Sequence, residues 1–154
     1  MLLTDFPEMR LQYDAELALL RVEWVGGADM TRFRAGSLHL LHLARRLQLR
    51  HCLFDMDSLP DISAYDQIWM GVKWLPGVLK LPLARVVFML EHSRVYHQAT
   101  IDTLLQLASP FIRFDLQYFN DSEPALCWLS NDSARVAELM AEWQARPALL
   151  AAAA

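Results

Sequence analysis

The sequence predicts a single α/β domain whose later strands are mostly parallel. Three observations carry this. Residues 9–25 show two-residue alternation on either side of one turn, the pattern of a β-hairpin. After Gly26-Gly27, helical periodicities alternate with short apolar runs that show no alternation, as expected of strands covered on both faces. At 154 residues with 55% hydrophobic and 21% charged side chains, the chain is long enough for one well-filled core and too apolar to be disordered.

In the hairpin, Leu11 and Tyr13 alternate with polar residues, a turn falls at Asp14–Glu16, and Ala18, Leu20, Val22 and Trp24 follow with period two. The segment 29–50 is a helix, because Met30, Phe33, Ser37, Leu40, Leu41, Ala44 and Leu47 form one stripe. Asp29 or Thr31 can cap it. "HCLFDMD" is a strand. "DISAYDQIWMGVKWLPGVL" is the next helix, with Tyr65, Ile68, Trp69, Val72 and Leu75 on one side and Pro76 ending or kinking it. "LARVVFML" is a strand, and 93–110 is a helix closed by Pro110. "IRFDLQYF" is the last strand. Asp121 caps a helix with Pro124 early in it. A final helix places Val136, Leu139, Met140 and Trp143 inward. The order is β-β-α-β-α-β-α-β-α, with right-handed crossovers expected between parallel strands.

The formal charge of −4 argues against nucleic acid as a main partner. Arg32, Arg34, Arg45, Arg46 and Arg50 nevertheless cluster in a stretch without acids, whereas acids outnumber bases from Asp115 onward. That dipolar pattern suits self-association or an anionic partner, or else two ordinary solvated faces. Cys52 and Cys127 are isolated in apolar settings and are expected to be free thiols of a cytoplasmic protein. The first ten residues lack the features of a signal peptide, and no apolar run is long enough to span a bilayer. "RPALLAAAA" ends the chain, its residues 147–154 reading as an Ala-rich tail to a domain of residues 1–146.

The polar candidates concentrate in "LFDMDSLPDIS". Asp55, Asp57 and Asp61 fall with Ser58 and Ser63 where a parallel strand ends and a helix begins, the usual place for ligands in α/β sheets. The calcium-loop pattern is absent. The plain reading has Asp61 capping the helix while Asp55 and Asp57 solvate a turn. A catalytic reading would need Glu91, His92 or Ser93 from the next strand end as partners. His39 and His42, at i and i+3, fall short of a zinc set. These, with His92 and His97, are expected to be exposed helix histidines. No nucleophile elbow, C-x-x-C or phosphate-cradling glycine loop occurs, so no cofactor or metal is expected. Tyr65, Trp69, Trp74 and Phe111 are candidates for an apolar ligand pocket or an interface.

Read in order, "LLRVEWVG", "LFDMDSL", "DQIWMGVKWLPGV", "ARVVFMLEHS" and "LQYFNDSEPALCWL" resemble a bacterial STAS-like family. These small domains are similar to the sulfate-transporter and anti-sigma-factor-antagonist fold, and are also likened to CRAL-TRIO lipid-transfer domains. The resemblance runs over residues 9–130. Its most specific pieces are the helix with Trp69, Trp74 and Pro76 and the ending from Tyr118 to Leu129. It implies a mixed sheet of about five strands with packed helices and no reaction. It also implies an interaction and switch site in the loop at 55–63. Antagonists of that fold carry a phosphorylatable hydroxyl there in an Asp-Ser-small-Gly motif. This chain has "PDISAYD", with Ser63 two residues past Asp61 and no following glycine.

Two functions are therefore expected. The first is a non-enzymatic interaction or regulatory module, binding a protein partner or itself through the 55–63 loop and the following helix. The alternative is a carrier or sensor of a small apolar or lipid-like ligand.

Overall fold

A computed structural model describes residues 1–90 and 95–153, with the side chains of all of these except Val95 and residues 146–153. The hairpin forms from β2 (Met9–Asp14) and β3 (Leu19–Trp24), paired Met9 to Trp24 and Asp14 to Leu19. Its turn closes on the Asp14 carboxylate, which accepts from Leu17 N at 3.0 Å. A short β1 (Leu2–Leu3) adds antiparallel to β2. The sheet thus has six strands, one more than the pattern predicts, because two residues are too few to show alternation.

Helix α1 (Phe33–Leu47) leads to β4 (His51–Asp55). Arg32 stands at its N-cap without a side-chain capping bond, its guanidinium pairing with Glu8 instead, while the Asp29 carboxylate serves a turn by accepting from Thr31 N. The next helix is continuous but irregular: α2 (Ala64–Trp69), a π-helical turn at Met70–Trp74, and α3 (Leu75–Val78). Pro76 neither stops nor breaks it. The π-turn lets Leu75 N–H reach back five residues to Met70 O just before the proline, which has no N–H to donate. Then come β5 (Arg85–Met89), α4 (Val95–Ala108) with a 3-10 turn at Ser109–Phe111, and β6 (Asp115–Phe119). Finally α5 (Ser122–Ser130) and α6 (Arg135–Ala153) complete the chain. The backbone of α6 runs without interruption across the 146/147 boundary.

Strands follow one another across the sheet in sequence order, β3 to β6 in parallel. Each crossover therefore advances one strand in the same direction. Right-handed crossovers then put α1, α2–α3 and α4 on one face. Core residues confirm this layering. Leu20, Val22, Cys52 and Val86 pack with Phe33, Leu43, Met70 and Ile101 on that face. The opposite face, with Leu19, Leu53 and Val87, is left to Leu126, Leu129 and Leu139 of the returning α5 and α6. Within β4, Cys52 and Leu53 point to opposite sides, which is why its sequence shows no alternation.

Candidate functional site

The loop after β4 lies where the carboxyl end of a parallel strand should present it, and the structure scatters its acids. Asp55 ends β4, and its Oδ1 accepts from Asp57 N at 3.2 Å. Ser58, Asp61 and Ser63 are exposed. Ser63, rather than Asp61, caps α2, its hydroxyl accepting from Asp66 N at 3.1 Å. Asp66 in turn holds Arg34 of α1 at 2.7 Å. Replacing Ser63 with Ala should therefore cost about 1 kcal/mol in urea unfolding. Replacing it with Asp, which caps equally well, should cost less than that, and equal losses for the two variants would count against the capping role.

The start of α4 pins this loop from above. His97 Nε2 donates to Leu59 O at 2.7 Å, and Tyr96 Oη donates to Ile62 O at 2.8 Å. His97 is fully buried, not the exposed helix histidine that the sequence suggests, because α4 lies directly on the loop. His42 is exposed and His39 half-buried. Glu91, His92 and Ser93, the partners that a catalytic reading needs, lie outside the described residues. Among the described residues no three His, Cys, Asp or Glu side chains converge as a metal set. Both cysteines are free. The Cys52 thiol is pushed up to about 12 by complete burial, which leaves it inert as a nucleophile.

The four aromatic candidates separate. Tyr65 is 81% exposed and Phe111 65%, while Trp69 and Trp74 are half-buried. Only Trp74 lines an internal cavity, where its Nε1 donates to Ser37 O at 2.7 Å. That cavity, about 150 Å³, lies between the sheet and the first helical layer, and its walls are almost wholly apolar. The apolar row on the second helix faces outward rather than into the core. Met70 points into the core, while Tyr65, Ile68 (65% exposed) and Val72 (63%) face solvent. Sequence periodicity places Tyr65, Ile68, Trp69, Val72 and Leu75 on one side. The structure keeps that side partly outside, with Trp69 and Leu75 at its edge.

The opposite sheet face holds a charged group that sequence reading missed. Arg10, Gln12 and Asp14 of β2 and Arg21 of β3 are buried beneath α6. Trp143 covers two of them, with the guanidinium of Arg10 at 3.7 Å and that of Arg21 at 4.2 Å from its ring. Arg10 also donates to Trp143 O. Gln12 Nε2 donates to Leu139 O and to Glu142 Oε1, both at 2.9 Å. Arg135 bonds Asp14 at 2.7 Å and Glu16 at 3.0 Å. Burial pushes the Asp14 carboxyl up, but the hydrogen bonds from Arg135 and Leu17 N outweigh it and hold the pKa below the usual value.

On the next strand pair, Glu23 faces Asp55 in register. Burial first, then the Asp55 charge and a hydrogen bond to Asp55, raise the Glu23 carboxyl above its usual range, against the attraction of Arg10 and Arg21. Burial brings Arg21 down to about 10, partly offset by Asp55 and Glu23. Arg21 (3% exposed) and Trp143 (6%) are buried in this group, while Glu23 and Asp55 are half-buried. Its geometry orients α6. The signal was present as alternation, since Arg10, Gln12 and Asp14 take alternate positions of one strand and Arg21 and Glu23 alternate positions of the next, with Leu19 as the exception on that face. In isolation such a pattern reads as a solvated face.

No helix among the described residues is long and apolar enough to cross a membrane. Comparison with family models, with curated proteins and with solved structures finds no match for this chain.

Proposed function

We propose that this chain is a non-enzymatic, STAS-like interaction module, regulatory in role, that binds a second copy of itself through the outer face of α2 and the adjoining loop. The observation that supports this is the exposed row of Tyr65, Ile68 and Val72, one apolar stripe at helical spacing that no described residue covers. Such a stripe is self-complementary about a two-fold axis. Ser63 caps the helix at the stripe's N-terminal end, and Ser58 lies in the loop before it. A phosphate there adds roughly two negative charges beside Asp66 and Arg34 and would alter any contact made over the stripe.

Sedimentation velocity of wild type and of the double variant Ile68→Asp/Val72→Glu tests the reading. Both positions are exposed, so the fold should survive. Two hot-spot losses of about 2 kcal/mol each would weaken association by about a thousandfold. A variant that sediments like the associating wild type, or a wild type that stays monomeric across the concentration range, would remove self-association.

A second reading, a carrier of a small apolar ligand, is favoured by the apolar cavity of about 150 Å³. It is smaller than the roughly 300 Å³ at which drug-sized ligand sites begin. On this reading the occupant is small, or only part of it enters.

A further inference from the structure

We propose that the surface groove between α3 and the end of α4 is the mouth of the apolar cavity, and that groove and cavity together take a medium-chain fatty acid. This extends the carrier reading and rests on it.

Two spaces that look separate share a wall. Leu75, Leu81 and Leu83 line both the internal cavity and a groove of about 910 Å³ on the surface. Between them stand leucine side chains, which move between staggered rotamers without displacing the backbone. The helix beside this wall is the π-turn at Met70–Trp74, a geometry often found at functional sites.

The groove has the polarity of an amphiphile site. Its sides include Leu107, 68% exposed, and Phe111, 65% exposed. Its charged lining residues are Arg50, Lys80 and Arg113, all exposed, with no acid among them. None of the three side chains makes a hydrogen bond or ion pair with a described residue. In a chain of net charge −4, three unpaired cations around an apolar groove call for an anionic head on an apolar body. A guanidinium binds a carboxylate through two parallel hydrogen bonds.

Size sets the length of the tail. A cavity of about 150 Å³ accommodates benzene, so about six carbons can enter it. The remaining carbons lie along the groove, and the carboxylate reaches the cations at the rim. Decanoate is the simplest molecule that fits this division. A neutral alcohol of the same length should use the same tail path without the head contacts.

Isothermal titration of the intact chain with decanoate, decanol and toluene tests the proposal, each kept below its aggregation or solubility limit. Decanoate should bind one to one and compete with toluene, which is small enough to occupy the cavity alone. The triple variant Arg50→Glu/Lys80→Glu/Arg113→Glu, made at exposed positions, should weaken decanoate by about tenfold or more while leaving decanol nearly unchanged. Decanoate bound without displacing toluene, or bound equally by the triple variant, would overturn the assignment. Toluene binding with no decanoate binding would overturn it too and leave the cavity reading standing. If neither binds, both readings fall.

Discussion

Trp143→Ala should destabilise the protein by about 3–5 kcal/mol, the usual cost of removing a buried tryptophan. Total stabilities of about 5–15 kcal/mol make that a large fraction of the whole. Here the loss goes beyond the cavity left behind. The ring is the surface on which Arg10 and Arg21 stack, at 3.7 and 4.2 Å. Without it, two guanidiniums buried beneath α6 lose their cover, and water must reach them or the helix must move. Trp143→Phe keeps an aromatic face and should recover a good part of the loss. Urea denaturation of the three proteins, followed by circular dichroism, checks this. A loss below about 1 kcal/mol for the alanine variant would mean that α6 is not anchored through this residue.

Arg21→Met should cost about 3 kcal/mol at pH 8, the scale for removing one member of a buried charge group, and clearly less at pH 5. Direction follows from Glu23. Its folded pKa lies above the ordinary 4.5, chiefly through burial and then through Asp55. A carboxyl raised in this way holds its proton more tightly when folded. It therefore opposes folding at high pH, and this cost disappears as pH falls through the folded pKa toward the unfolded value. Arg21 is one of the two cations that restrain the rise. Removing it raises the Glu23 pKa further and enlarges the penalty above that pKa. Glu23→Gln placed in the Arg21→Met background should then restore stability at pH 8 and flatten the pH dependence. Equal losses at pH 5 and pH 8 would show that Arg21 acts only by packing.

Both effects fall on the α6 side of the sheet, while both functional proposals use the other side. The division is a consequence of topology. The α2 stripe, the cavity and the basic groove all belong to the layer of crossover helices, and the charged group belongs to the layer formed by the chain's return. Variants at Trp143 and Arg21 therefore report on anchoring of α6. Variants at Ile68, Val72, Arg50 and Arg113 report on binding, with little shared contact between the two sets.

The sequence alone determined the class of the fold, the order of nearly every element and the strands that are buried on both sides. These are local properties. Alternation along Met9–Trp24, the unbroken apolar run of Cys52 to Phe54 and the inward set of Val136, Leu139 and Trp143 are set by the period of the backbone, and the structure keeps each of them. Two-residue β1 carries no such period and was invisible.

Tertiary structure decided what covers each face. Arg10, Gln12, Asp14 and Arg21 alternate like a solvated hairpin surface, yet they are buried, because strands laid down in sequence order place every crossover helix on one side and leave the other for α6. Tyr65, Ile68 and Val72 are spaced like a core stripe, yet they face water, because the helix turns its opposite side, with Met70, toward the core. His97 is buried because α4 comes down on the loop after β4. Periodicity records that a face is polar or apolar. Only the path of the whole chain determines whether another element comes to lie on it.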